Sequence, residues 1–185
     1  MTKVTKIVAI SGSLRKASYN TAAIKAAMTF APENCEIELL EISKIPLYDQ
    51  ELADSGTPEA VLTLAKKIHA ADAIIFATPE YNYSISGVLK NTIDWLSRQQ
   101  PQPFEGKPAA IITASMSFLG GARAHYHLRQ IMIYLDVHFI NKPEVMIASA
   151  HEKFDNNGQL TDNMTGEFLQ QLVSALVTWS DKINS

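Results

Sequence analysis

The sequence predicts an α/β fold, a parallel sheet covered on both faces by helices. Two observations carry this. Short apolar segments of five to eight residues alternate with helical patterns along the 185-residue chain, and such an order of elements implies a parallel sheet buried on both sides. The polar loops fall after the strands, at the rim where ligands bind in such sheets.

Each element has its own signal. Residues 4–11 (VTKIVAIS) are apolar and β-branched and read as a buried strand. The alanine-rich segment 20–31 reads as a helix, broken by Pro32, Glu33 and Asn34. Residues 35–42 alternate partly, as a strand near an edge does. Residues 45–49 read as a loop, followed by a helix over 58–70 with Thr57 as N-cap and Pro58 in its first turn. Residues 73–78 (AIIFAT) form a short apolar strand, and 87–98 an amphipathic helix with Leu89, Ile93 and Leu96 at helical spacing. Residues 108–114 give a further strand, 121–135 a helix and 144–148 a last strand. The chain closes on a helix over 165–183 with Phe168, Leu169, Leu172, Leu176 and Trp179 on one face. Length fits a single domain spanning 1–185.

Composition removes several function classes. The net charge of −3 and the lack of a basic stripe argue against nucleic-acid binding. The single cysteine, Cys35, allows no internal disulfide, which fits a cytoplasmic protein. No apolar run approaches the roughly 20 residues of a membrane span, and residues 1–6 lack the hydrophobic stretch of a signal peptide. No carboxylate and histidine cluster has metal spacing, and His125 and His127, two apart on a helix, point in different directions.

Three loops carry the chemistry. The first is Ser11-Gly12-Ser13-Leu14-Arg15-Lys16-Ala17-Ser18-Tyr19-Asn20. It joins a strand to a helix start, where unpaired N–H groups and the dipole favour an anion. Ser13, Ser18 and Asn20 add hydrogen bonds and Arg15 a charged one; Ser18 or Asn20 alone would serve equally well as a helix cap. Both G-x-G-x-x-G and G-x-x-x-x-G-K-[ST] are absent, which removes a dinucleotide fingerprint and an NTPase loop. A mononucleotide phosphate remains. The second loop, Thr78-Pro79-Glu80-Tyr81-Asn82-Tyr83-Ser84, offers a rigid turn, aromatic surface and amide groups suited to a flat heterocycle. Glu80 reads as structural. The third, residues 113–121, brings Ser115 and the pair Gly120-Gly121 before a helix. A ligand that needs both a phosphate site and a ring site is a phosphorylated aromatic cofactor, and a terminal phosphate monoester like that of FMN fits the first loop.

These loops resemble the NADPH-dependent FMN reductase family of flavodoxin-like proteins, most of all its quinone and chromate reductase branch. The residues that carry the resemblance are 12–20, 79–84 running into Gly87-Val88-Leu89-Lys90-Asn91-Thr92-Ile93-Asp94-Trp95, then Gly120-Gly121-Ala122-Arg123, Tyr126-His127-Leu128-Arg129-Gln130 and Asn141-Lys142-Pro143-Glu144. The resemblance implies a flavodoxin-like three-layer αβα sandwich with a five-stranded parallel sheet in the order 2-1-3-4-5. It implies non-covalent FMN, its phosphate meeting Ser13, Leu14, Arg15, Ser18 and Asn20, its ring meeting Pro79, Glu80, Tyr81, Asn82, Tyr83 and Ser115. NADPH or NADH would be co-substrate, in a homodimer or homotetramer. Ser86 stands where a proline often follows the tyrosine loop, and Ser117, Phe118 and Leu119 are bulkier than the residues common there; these departures bear on substrate preference.

The expected activity is ping-pong hydride transfer from NAD(P)H through FMN to a quinone, with chromate, azo compounds and free flavin as further acceptors. No side chain is expected to be catalytic, because the cofactor carries the chemistry. Tyr81 and Asn82 are best placed to meet nicotinamide or acceptor, and Arg15 to approach a pyrophosphate or 2′-phosphate. The alternative is a flavodoxin-type electron carrier, which is usually more acidic than a chain of pI about 5.9.

Overall fold

A computed structural model describes residues 4–185. Residues 1–3, part of the segment expected to lack a signal peptide, lie outside it. Four strands form the body of the sheet: β1 (Thr5–Ser11), β2 (Cys35–Leu40), β3 (Ala73–Thr78) and β4 (Pro108–Ala114). They run parallel, with Ile7 opposite both Ile37 and Ala73, and Phe76 opposite Ile111. The order is β2-β1-β3-β4-β5, as the resemblance implies.

The last position in that order is shared. β5 (His138–Phe139) pairs with the start of β4, and β6 (Val145–Ile147) with its end. Between them Arg129 Nη2 donates to the carbonyl of Ile140 at 2.8 Å, and Pro143 has no N–H to give. The strand expected at 144–148 is therefore the second half of an interrupted edge. The two-residue β5 is too short to show a period in sequence.

Side chains alternate across the sheet and build two cores. Ile7, Ala9, Ile75, Ala77, Ala110 and Ile112 face α1 (Tyr19–Thr29) and α6 (Asn163–Ile183). Val8, Ile10, Ile74, Phe76 and Ile111 face α3 (Glu59–Ala70), α4 (Gly87–Leu96) and α5 (Ala122–Met132). Each fully buried isoleucine, leucine or phenylalanine contributes about 1.5–3 kcal/mol. The buried stripe of α6 runs through Leu169, Leu172, Val173, Leu176 and Val177, while Phe168 turns outward at 44% exposure. Phe168 thus departs from the face expected for it; Trp179 keeps partial burial by donating from Nε1 to the His138 carbonyl.

Two further details differ from expectation. A six-residue helix α2 (Gln50–Ser55) follows the 45–49 loop, capped by Asp49, whose carboxylate accepts from Leu52 N at 2.7 Å. The helix is too short for its periodicity to register. The N-cap of α3 is Pro58, not Thr57, and no side chain caps it. Among the described residues no helix is long and apolar enough to cross a membrane, and no group of three or more His, Cys, Asp or Glu side chains is placed to hold a metal.

His125, on the sheet side of α5, is fully buried, and neither ring nitrogen has a hydrogen-bond partner. Burial, then the Arg129 charge, push its pKa from 6.5 down to about 4. The unfolded chain takes up this proton near 6.5 while the folded chain refuses it, so stability falls as pH drops through that window. Urea unfolding should lose about 2 kcal/mol between pH 7 and pH 5 through this group. His125→Leu should flatten that slope; an equally steep slope in the variant would place its origin elsewhere.

Candidate active site at the carboxyl rim

The three loops meet at one rim because their strands are neighbours: β1, β3 and β4 lie side by side. The first loop leaves β1 at Gly12, whose N–H donates to Ala77 O of β3 at 2.7 Å. A Cβ at Gly12 would come 2.9 Å from Ser86 Oγ and 3.1 Å from both Leu89 Cβ and Thr78 Oγ1. The glycine therefore lets the first loop lie against the second.

The first loop then presents donors. Ser18 is the N-cap of α1, its Oγ accepting from Thr21 N at 3.2 Å. Among the described residues, the N–H groups of residues 13–20 have no backbone or side-chain acceptor. Ser13 is partly exposed, and Leu14 and Arg15 are exposed. Asn20 is different. Its side chain is buried, donating from Nδ2 to Ala114 O and accepting at Oδ1 from Ala114 N, both at 3.0 Å. Its amide ties α1 to the end of β4, so only its backbone N–H is open to a phosphate.

The second loop is a tight reversal. Tyr81 N donates to Ser84 O at 2.9 Å, and Ser84 N to Tyr81 O at 3.1 Å. The two residues between, Asn82 and Tyr83, have φ of 51° and 68°. Such conformations cost about 1 kcal/mol or more each in a non-glycine residue and persist where surroundings hold them. Arg123 holds Tyr83, its guanidinium 3.9 Å from the ring centroid. His127 Nδ1 lies 2.9 Å from Ser84 Oγ.

Glu80 joins this loop to α5. Its Oε2 accepts from Arg123 N at 3.1 Å and Ala124 N at 3.4 Å, and its Oε1 from Arg123 Nη1 at 2.8 Å. The carboxylate satisfies open donors at a helix start, where negative charge is favoured. It also raises the Arg123 pKa by that hydrogen bond. Glu80 is thus structural, as its sequence context indicates. In sequence Arg123 stood out only within the Gly120-Gly121-Ala122-Arg123 motif, with no role attached, and the Ser84–His127 contact had no sequence signal, since the partners are 43 residues apart.

The third loop needs its glycine pair. Gly120 and Gly121 have φ of 60° and 87°, and a Cβ at Gly120 would stand 2.8 Å from the Met146 carbonyl of β6. Ser115 N donates to Ile147 O at 3.0 Å, and Ser115 Oγ to Ser117 Oγ at 3.1 Å. Leu14, Tyr81, Tyr83, Met116 and Phe118, from all three loops, are exposed by 53% or more. So many large apolar side chains held in water at one rim mark a binding surface.

A sequence model of the NADPH-dependent FMN reductase family matches residues 5–152. The chain belongs to that family. Known relatives are similar over nearly the whole chain. The NAD(P)H-dependent FMN reductase of Pseudomonas aeruginosa is 55% identical over 174 residues, 94% of each chain. The quinone reductase of Escherichia coli K12 is 42% identical over 93% of this chain and 99% of its own. Among solved structures, the NAD(P)H:(acceptor) oxidoreductase FerB from Paracoccus denitrificans superposes with a TM-score of 0.87 at 37% identity, over 97% of this chain and 98% of its own.

The residues present fit the FMN that the family implies. A turn of open N–H donors, with Arg15 beside them, suits a terminal phosphate. Two rigid loops with exposed aromatic surface suit a flat ring. Glu80→Ala should destabilise the protein by about 1–3 kcal/mol, because it leaves donors at the α5 start without their acceptor. It should also lower flavin retention on gel filtration. Unchanged urea unfolding and flavin content would show that the loop stands without this anchor.

Proposed function

We propose that this protein is an FMN-dependent NAD(P)H oxidoreductase that reduces quinones in a ping-pong cycle. The observation that carries the reading is the pairing, on one rim, of open phosphate donors with exposed aromatic side chains. The relatives named as quinone reductases support the acceptor class. Bound FMN supplies the two-electron chemistry, taking electrons from NAD(P)H and giving them to the acceptor.

The chain's own residues position and shield. The N–H groups of residues 13–20, the Ser13 hydroxyl and the Arg15 guanidinium hold the phosphate, with Leu14, Ser18 and Asn20 contributing backbone N–H groups. Pro79, Glu80, Tyr81, Asn82 and Tyr83 line the ring, Glu80 through its main chain because its carboxylate is engaged on α5. Ser115 closes the third side. Tyr81, Met116 and Phe118 offer apolar surface to a flat acceptor, and no side chain acts as acid or base. Chromate, azo compounds and free flavin are further acceptors of the same site.

The protein acts in the cytoplasm as a homodimer or homotetramer. Tyr126, Ile133 and Tyr134, exposed by 54%, 74% and 93% on α5 and the turn after it, support a subunit contact there. The carrier alternative is disfavoured by a net charge of only −3 and by a rim built to stack a small molecule.

A steady-state matrix of NADPH and NADH against quinone, chromate, azo dye and FMN tests the reading. Turnover with quinone by the purified yellow protein alone is expected; turnover only with an added reductase would establish a carrier. Arg15→Ala should weaken FMN binding about 10- to 100-fold, the loss of one charged hydrogen bond. Equal affinity in fluorescence titration would remove Arg15 from the phosphate site.

A further inference from the structure

A groove with a cavity volume of about 420 Å³ opens between the C-terminal half of α6 and residues 139–142. It follows from the interrupted edge of the sheet. Ile140 N donates to Ala109 O at 2.9 Å; the chain then leaves β4 and pairs with it again only at Val145. α6 meets this stretch through Trp179, whose Nε1 donates to the His138 carbonyl at 2.8 Å. The indole is thus held with its N–H occupied, and its ring remains as apolar surface. Ala109 lies five residues before Ala114, about 16 Å along an extended strand, so the groove is separate from the carboxyl rim.

Its lining is apolar in the middle and cationic at the sides. Ile140, Ala175 and Trp179 supply the apolar surface. Lys142 stands on one wall and Lys182, in the last turn of α6, on the other. Both lysines are exposed, and among the described residues neither forms an ion pair. No aspartate or glutamate lines the groove. The larger groove beside α1 differs, since carboxylates and cations line it together. A volume of a few hundred Å³, with apolar walls and a few polar groups to set orientation, is the make-up of a small-molecule site.

We propose that this groove binds a small aromatic carboxylate, its ring on Trp179 and its carboxylate between Lys142 and Lys182. An inorganic anion would gain only exposed charge contacts, each worth little. A neutral ring would gain only apolar burial and leave both ammonium groups without a counter-charge. A molecule with a flat apolar body and one negative end uses both parts of the lining. Neither lysine belongs to the proposed flavin cradle, and the site does not depend on what occupies the rim.

The test is calorimetry of naphthoate with the FMN-loaded protein, with flavin absorbance followed in the same titration. The parent protein should bind naphthoate, and affinity should fall as salt rises. Lys142→Ala and Lys182→Ala should each weaken binding about two- to fivefold, the loss of one exposed charge contact, and together about tenfold. Naphthamide, with the same ring and no charge, should bind the parent and the lysine variants alike. Ala175→Phe, which fills the groove, should abolish naphthoate binding while FMN content and quinone turnover stay within about twofold. Equal naphthoate affinity in the parent and the double lysine variant would overturn the carboxylate's place between the lysines. Naphthoate that shifts the flavin absorbance and still binds Ala175→Phe would place the ligand on the rim and overturn the groove assignment. Binding no tighter than about 1 mM in the parent would overturn the proposal outright.

Discussion

The paired hydrogen bonds between the Asn20 amide and the backbone of Ala114 organise the rim. They join the first turn of α1 to the last residue of β4, 94 positions later. The two bonds are buried and run in opposite senses, so they fix both the spacing and the rotation of the helix against the strand. A buried amide with both groups satisfied holds its place, because breaking either bond leaves a dry donor or acceptor. The turn of open N–H groups therefore faces the third loop at one set distance. Gly12 does the equivalent work on the other side, where the absence of a Cβ lets the first loop touch Thr78, Ser86 and Leu89.

Glu80 and Arg123 complete the arrangement around the second loop. The carboxylate holds the start of α5, the guanidinium lies on Tyr83, and the reversed pair Asn82 and Tyr83 is kept in a conformation it would not choose alone. The site is thus a set of main-chain donors and flat surfaces supported by engaged side chains. That arrangement suits a cofactor which brings its own reactivity and needs position more than assistance.

Much of this was legible in the chain. The apolar runs of β1, β3 and β4 and the long stripe of α6 exceed the length at which periodicity speaks, and the three loops follow from where those strands end. Local chemistry also marked Ser18 as a cap and Glu80 as structural. What stayed hidden is of two kinds. α2 and β5 are too short to show a period, and the outward turn of Phe168 depends on which side of α6 meets the sheet. The contacts of Asn20 with Ala114, Ser84 with His127 and Glu80 with Arg123 join residues far apart in sequence. An asparagine at a helix start looks the same whether it greets a phosphate or a neighbouring strand; only the approach of β4 separates the two.

The interrupted strand after α5 has a consequence for how copies of this protein can meet. A long straight border would expose a row of unpaired amides and invite another chain to extend the sheet. Here that border is cut between Phe139 and Val145, and the opposite one, β2, carries Glu36 and Glu38 along its short length. Neither side offers a ladder that a second copy could continue. Self-association is thereby steered onto helical faces, where partners can stop at a closed number instead of growing into a fibre.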